Sequence, residues 1–328
     1  MRIPSELIQN FITSEFSPKL NSSGEYIIHS PFNHDTKGKL YINKNTGQWI
    51  DFKGGDKDQG GFLKFVMMYL DLNYKDAIQY LIENYSLVVP QKTEEEKKEE
   101  IDNKNLLKEF IKDAKPKLFG NGKNLGIFGN KAYKYVLDRK LDESYYPGLG
   151  YCFNPDSDFH QRIFIPFYED KKIVYGITRS IEKDSYLRYL NIKKLNSKDY
   201  VFNIDNVIDS CVICEGVFDA MSLIPEMGAV SMLSADIGVK QMEKLFDREI
   251  RNIIYVPDKD KTGKIKLEKN IKKLIQYCPY NGLNIYIYEI PEVDCKDLND
   301  LKIKTGKNYI LKSECSKYGN NLFERSIW

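Results

Sequence analysis

From residue 210 onward, short apolar runs and amphipathic stretches follow one another in strict turn, and this alternation constrains the chain more than any other feature. Cys211–Cys214, Ala229–Met232, Asn252–Val256 and Leu283–Tyr288 have strand length. Helical spacing predicts helices from about Phe218, over Val239–Phe246 and over Lys264–Tyr277. Alternating strands and helices dictate a parallel sheet with helices on its faces, because each crossover must carry the chain back before the next strand begins. Sites on such sheets form at the carboxyl ends of the strands.

Carboxylates stand at those ends. Glu215 directly follows Val212-Ile213-Cys214, with Gly216 beside it and Asp219 one helical turn along; Asp258 and Asp260 follow Pro257, which ends the 252–256 strand. Asp297 and Asp300 come after the 283–288 strand, in Lys296-Asp297-Leu298-Asn299-Asp300. Like charges this close repel unless a divalent cation neutralises them, and Mg²⁺ (or Mn²⁺) suits an all-oxygen set with positions left for phosphate. Each group also has an ordinary reading. Asp-Lys-Asp-Lys-Thr-Gly makes a turn unaided, Asp300 can cap a helix, and Asp297 serves as cap or site equally well. Recurrence at two strand ends of one unit favours the site. Cys211 and Cys214 have metal or redox spacing, yet they alternate inside an apolar strand, so burial explains them.

The chain has 328 residues, 42% of them hydrophobic and 13% aromatic, enough to bury two or more cores and too much for a disordered tail, a collagen or a disulfide mini-scaffold. Net charge is only +2, but residues 106–200 carry 18 basic against 12 acidic side chains, which suits a polyanion groove. A Lys-rich solvated surface accounts for that count equally well. No run of about 18 apolar residues occurs and Met1–Glu6 lacks a signal-peptide core, so the expected setting is the cytoplasm without membrane contact and with reduced thiols. Neither Gly122-Lys123 nor Gly263-Lys264 continues into a phosphate loop, which argues against an attached ATP-driven helicase. The run 91–100 has no apolar residue and is either an exposed helix or a tether. Before it, Tyr26–Ile28, Lys39–Ile42 and Gln48–Phe52 read as a small antiparallel sheet, followed by two helices through Phe62–Tyr69 and Ala77–Ile82.

Cys214-Glu215-Gly216-Val217-Phe218-Asp219-Ala220 and Val256-Pro257-Asp258-Lys259-Asp260-Lys261-Thr262-Gly263 resemble the two signature motifs of the Toprim domain, shared by topoisomerases, DnaG-type primases and some nucleases. Upstream, Arg162–Phe167, Gly176–Arg179 and Arg188-Tyr189-Leu190-Asn191 resemble the basic subdomain that precedes Toprim in primases. Arg188 stands there where the family usually has Lys, which keeps the charge and alters the geometry. Tyr135–Arg139 with Leu149-Gly150-Tyr151 resembles the start of that core, and Lys296–Asp300 the last acidic motif. The resemblance spans roughly residues 130–305 and is to a phage-type stand-alone primase.

It implies an α/β fold: a Toprim, Rossmann-like parallel sheet at 208–305, a basic α+β primase subdomain at 106–207, and a small β-ribbon-plus-helices domain at 1–88, with a charged linker at 89–105 and a tail at 306–328. It also implies a nucleotidyltransferase that makes short RNA primers on single-stranded DNA. Glu215, Asp258 and Asp260 would be catalytic and, with Asp297 and Asp300, would hold Mg²⁺. Arg162, Arg179 and Arg188 would bind triphosphate, Tyr189 and Asn191 would orient sugar or base, and Lys259 and Lys261 would help at the rim. Expected partners are single-stranded DNA, ribonucleoside triphosphates and a replicative helicase supplied in trans, in a bacterial host's cytoplasm or nucleoid. A Toprim nuclease and a non-catalytic single-strand-binding or helicase-associated accessory are the alternatives.

Residues 1–85 resemble the family's zinc ribbon with its ligands gone. Ser30-Pro31-Phe32-Asn33 and Asp51-Phe52-Lys53-Gly54 stand where the two ligand pairs belong, and no cysteine precedes Cys152. No zinc is expected. His29 and His34 are out of register with the family ligands. Trp49, Phe52, Phe62 and the two helices are then expected to hold the domain, which could still read template through aromatic and basic groups.

Overall fold

The computed structural model describes residues 3–33, 37–52, 59–89, 93–182, 185–233, 236–259, 261–279, 283–291 and 294–318; of 145–147 and 261–264 it describes the backbone alone. His34, Asp260 and the Lys261 side chain therefore lie outside the described residues. The chain divides into two units, Met1–Gln91 with Phe246–Ile250, and Lys92–Leu245 with Arg251–Trp328. No helix among the described residues is long and apolar enough to cross a membrane.

The first unit opens with α1 (Ser5–Glu15) and continues into an antiparallel meander, β1 (Lys19–Leu20), β2 (Glu25–Ile28), β3 (Leu40–Asn43), β4 (Trp49–Asp51) and β5 (Gln59–Gly60), before α2 (Phe62–Leu70) and α3 (Tyr74–Tyr85). Strand alternation decides what is buried. Leu40 and Ile42 of β3, and Trp49 and Asp51 of β4, face inward, whereas Ile50 and the following Phe52 face out. Phe11, Phe62, Phe65 and Trp49 form the aromatic core, with Phe62 edge-on to Phe11 at 5.3 Å. Phe52, expected to help hold this unit, is instead 64% exposed and edge-on to Tyr41 at 5.4 Å. Gly47, in the β3–β4 turn, has φ +68 and lies so near Phe62 that a Cβ would collide with it.

The positions that stand for zinc ligands are joined by hydrogen bonds. Asn33 Nδ2 donates to Asp51 Oδ2 at 2.7 Å, and the Phe32 N–H donates to Ser30 Oγ at 3.2 Å, with Ser30 and Asp51 both buried. Phe246–Ile250 completes the unit: Glu249 accepts from the Leu63 N–H in the first turn of α2 at 2.8 Å, where the helix dipole favours a carboxylate, and the Arg248 guanidinium lies 3.8 Å over Tyr74.

The second unit begins with α4 (Glu94–Ala114), so of the two readings of the charged run the structure has the helix. A Thr93/Glu96 capping box starts it, and Leu107, Phe110 and Ala114 bury its later turns. Next come β6 (Pro116–Leu118), α5 (Gly126–Leu137), β7 (Gly150–Cys152), β8 (Arg162–Glu169), β9 (Lys172–Ser180) and β10 (Tyr189–Asn191), forming an antiparallel sheet in the order β10-β9-β8-β7-β6.

The chain then enters the alternating region: β11 (Ser210–Cys214), α6 (Val217–Leu223), β12 (Ala229–Ser231), α7 (Val239–Asp247), β13 (Asn252–Val256), α8 (Lys261–Tyr277), β14 (Asn284–Ile287), α9 (Leu298–Thr305) and β15 (Ser316–Lys317). Sheet order is β12-β11-β13-β14-β15, parallel throughout except that β15 runs antiparallel at the edge. The result is a mixed α/β fold with a parallel sheet region and further sheet-and-helix parts.

Candidate active site

Adjacent central strands bring the first two predicted carboxylates together. β11 and β13 pair in parallel with Cys214 opposite Val256, so both chains leave the sheet at the same level. Glu215 follows the one and Asp258 the other, and the Asp258 N–H faces Glu215 Oε1 at 3.5 Å. Pro257, buried, turns the chain out of the ladder it cannot join.

Asp219, on the first turn of α6, comes back to the same place. Its Oδ2 lies over Gly216, where a Cβ would collide with it, so the small residue in the Glu-Gly pair makes room for this carboxylate. Its Oδ1 accepts from the Asn299 N–H at 3.0 Å. Burial first, and then the Asp297 and Asp258 carboxylates, push the Asp219 carboxyl well above the usual range, against the opposing pull of the Asn299 N–H and Arg139. The spacing in Glu215-Gly216-Val217-Phe218-Asp219 was the available signal for this member, since a residue four positions on returns to the same end of a short helix.

Asp297 is a cap as well as a neighbour of Asp219. It starts α9 and accepts from the Asp300 N–H at 2.7 Å. Asp300 accepts from the Lys296 N–H at 3.0 Å and pairs with Lys304 at 3.1 Å. Among the described residues no three His, Cys, Asp or Glu side chains stand close enough to hold a metal ion. Asp219 is within electrostatic reach of Asp258 and Asp297, and Glu215 meets the Asp258 N–H, without the described residues closing into a cage. The donor set nevertheless fits a hard cation, because it is all oxygen and holds one buried carboxylate under repulsion from two others. Cys214 does not compete; burial pushes its thiol far up, and the thiolate a metal would need is disfavoured.

A hydrogen-bonded hub missed in the sequence stands behind Asp219. Arg139 Nη1 donates to Asn299 Oδ1 at 2.8 Å, and Asn299 Nδ2 donates to the Arg139 carbonyl at 3.0 Å and to Ser222 Oγ at 2.9 Å. The Arg139 guanidinium lies 4.6 Å over the Phe218 ring and 4.9 Å over that of Tyr135, whose hydroxyl it also bonds. Nothing in the local pattern links residues 160 positions apart.

The basic side chains separate into two kinds. Arg179 and Tyr189 stack at 4.4 Å, and burial pushes the Tyr189 phenol up to about 12, with Arg179 pulling the other way and Asp219 adding to the rise. Tyr189 is thus within the electrostatic influence of Asp219, while the residue as a whole stays 37% exposed. Arg188 and Asn191 are exposed on the same β10 segment. Arg162, in contrast, is buried and turned to the backbone: Nε donates to Thr178 Oγ1 at 3.1 Å and Nη2 to the carbonyls of Leu187 at 2.6 Å and Arg188 at 2.8 Å. Lys259 reaches the Pro291 carbonyl at 2.7 Å, tying the loop after β13 to the one after β14.

Comparison with known proteins gives one family match: residues 212–302 match the Toprim-like family model. No curated protein matches the sequence. Among solved structures, similarity is found to the Aquifex aeolicus primase (zinc-binding and RNA polymerase domains), at 18% identity and TM-score 0.48 over 96% of this chain and 86% of that one. A DnaG catalytic core gives 16% and 0.49 over 62% and 75% of the two chains. A DNA primase domain from Pseudomonas aeruginosa gives 19% and 0.40 over 52% and 55%. The span that carries Glu215, Asp219, Asp258 and Asp297 is thus the Toprim-like part of this chain.

Proposed function

We propose that this protein is a DNA primase, a nucleotidyltransferase that synthesises short RNA primers on single-stranded DNA. The observation that carries the reading is the meeting of Glu215 and Asp258 at adjacent strand ends inside the Toprim-like span, with Asp219 and Asp297 beside them. Glu215, Asp219, Asp258 and Asp297, with Asp260, would hold Mg²⁺ or Mn²⁺. A divalent ion bound there supplies neutralisation of the triphosphate and activation of the attacking 3′-hydroxyl.

The protein's own groups do the rest. Arg188, exposed just before β10, pairs with phosphate, and Asn191 at the end of that strand contacts sugar or base. Arg179 holds the Tyr189 ring so that its phenol, kept protonated by burial, stays a hydrogen-bond donor at the edge of the acidic group. Arg139 and Asn299 fix Asp219 from behind. The reading implies ribonucleoside triphosphates as substrates and a replicative helicase acting in trans, in the cytoplasm of a bacterium that a phage infects.

Incubation with the four ribonucleotides, Mg²⁺ and mixed-sequence single-stranded DNA tests it. Short RNA products that vanish in Asp258→Asn establish the activity. Cleavage of the template would assign a Toprim nuclease instead, and binding without either product a non-catalytic accessory.

A further inference from the structure

Ser185–Arg188, which turn into β10, present Tyr186 to solvent at 97% exposure, with Leu187 and Arg188 exposed beside it. A large aromatic ring this open has a cost in water, and here the backbone that carries it is not loose. The buried Arg162 guanidinium reaches up from β8 to the Leu187 and Arg188 carbonyls, Ser185 Oγ donates to the Leu187 carbonyl at 3.1 Å, and the Ser180 N–H donates to the Arg188 carbonyl at 2.9 Å. An arginine's fork can bind two successive carbonyls at once, and that fixes the direction in which the flanking side chains leave the turn. The Arg188 side chain makes no hydrogen bond or ion pair among the described residues, so its charge is available. Tyr189, three positions on, lies under the Arg179 guanidinium at 4.4 Å and within the electrostatic influence of Asp219. At about 3.3–3.6 Å per residue, Tyr186 stands within about 11 Å of chain from that position.

We infer that this turn seats a single-stranded nucleic acid: Tyr186 stacks on one base, Arg188 pairs with a neighbouring phosphate, and Arg162 is the positioning residue that holds both in place. The occupant is a strand rather than a free nucleotide because an aromatic face open on all sides gives a mononucleotide no enclosure. A strand brings its own neighbouring bases and phosphates to the adjoining arginine. The inference deepens the primase reading by naming where its template lies.

The test is binding of a labelled mixed-sequence single-stranded oligonucleotide, measured by fluorescence anisotropy over a range of salt, alongside ribonucleotide binding and primer synthesis. Tyr186→Ala should weaken strand binding about tenfold while Tyr186→Phe binds as the wild type does, and Tyr277→Ala, an exposed tyrosine on α8, should change nothing. Arg188→Ala should make the salt dependence shallower by about 0.7 in log–log slope, the share of one phosphate contact. Arg162→Lys keeps the charge but loses the fork, so it should weaken binding with the slope unchanged. Undiminished strand binding by Tyr186→Ala would overturn the inference, as would a loss confined to ribonucleotide binding, and a shallower slope for Arg162→Lys would replace the clamp by a direct phosphate contact. If Tyr186→Ala loses the strand while the wild type makes no primers, the seat stands and the primase reading fails; primers with normal Tyr186→Ala binding give the reverse.

Discussion

Asn299 and Arg139 hold each other in two directions, side chain to side chain at 2.8 Å and side chain to backbone at 3.0 Å, and the same Asn299 offers its own N–H to Asp219. A buried asparagine with its side-chain amide engaged on both sides joins the start of α9, the end of α5 and the first turn of α6. Asn299→Leu keeps the volume and leaves the Arg139 donor, the Arg139 carbonyl and the Ser222 hydroxyl without it. At about 1–3 kcal/mol for each buried group left unsatisfied, a loss of about 3 kcal/mol in urea unfolding is expected. A loss below about 1 kcal/mol would mean that the hub holds little.

Asp219 gives the site a pH signature. Its carboxyl is raised above the ordinary 3.8, so in the acid-to-neutral range the folded chain keeps a proton that the unfolded chain has released. Folding then takes up a proton, and stability without divalent ions must fall as pH climbs above about 4. Asp219→Asn removes the charge and keeps the shape. In EDTA it should melt above the wild type near neutrality, match it near pH 4, and make no primers. Equal melting at both pH values would contradict the repulsion inferred here.

Magnesium should reverse that repulsion. The wild type should melt at a higher temperature as Mg²⁺ is added, by about 2.7 kcal/mol of stabilisation at one hundred times the dissociation constant. Asp258→Asn should lose most of this gain while remaining folded in circular dichroism.

In the first unit the informative aromatic for template binding is Phe52. Trp49 is 3% exposed and donates its indole N–H to the Gly61 carbonyl at 3.0 Å, so Trp49→Ala removes core and should cost about 3–5 kcal/mol of stability. Phe52→Ala touches an exposed ring and should leave melting within about 0.5 kcal/mol. If the unit reads template through its outer sheet face, Phe52→Ala lowers strand affinity; equal affinity would count against that role.

The hydrogen bond between Asn33 and Asp51 does locally what a metal does in a ribbon, pinning the segment after β2 to the end of β4. Chelators should leave the unfolding of this unit unchanged, and metal analysis should find no stoichiometric zinc. Asp51→Ala strips a buried acceptor and should destabilise by about 1–3 kcal/mol.

How far the sequence carried depends on the range of the interactions involved. The strands and helices after residue 210 follow from apolar spacing, which is local, and Glu215 and Asp258 follow from strand ends, which are nearly so. Phe52 was also legible: Trp49 in, Ile50 out, Asp51 in puts the next side chain out, and its aromatic character misled. Arg162 was legible as a cation but its bonds to the Leu187 and Arg188 carbonyls were not, since they join β8 to a segment 25 residues on. Asp300 could be told from Asp297 only by its contacts with Lys296 and Lys304. The Arg139–Asn299 hub lay beyond reach, because periodicity carries no information on contacts between distant elements.

The buried thiols of β11 have a practical consequence. Cys211 and Cys214 sit in the strand that ends at Glu215, and burial holds both in the unreactive protonated form. An alkylating reagent can modify them only when the strand parts from its neighbours, so the rate at which they are labelled clocks the opening of the parallel sheet itself, with no probe introduced.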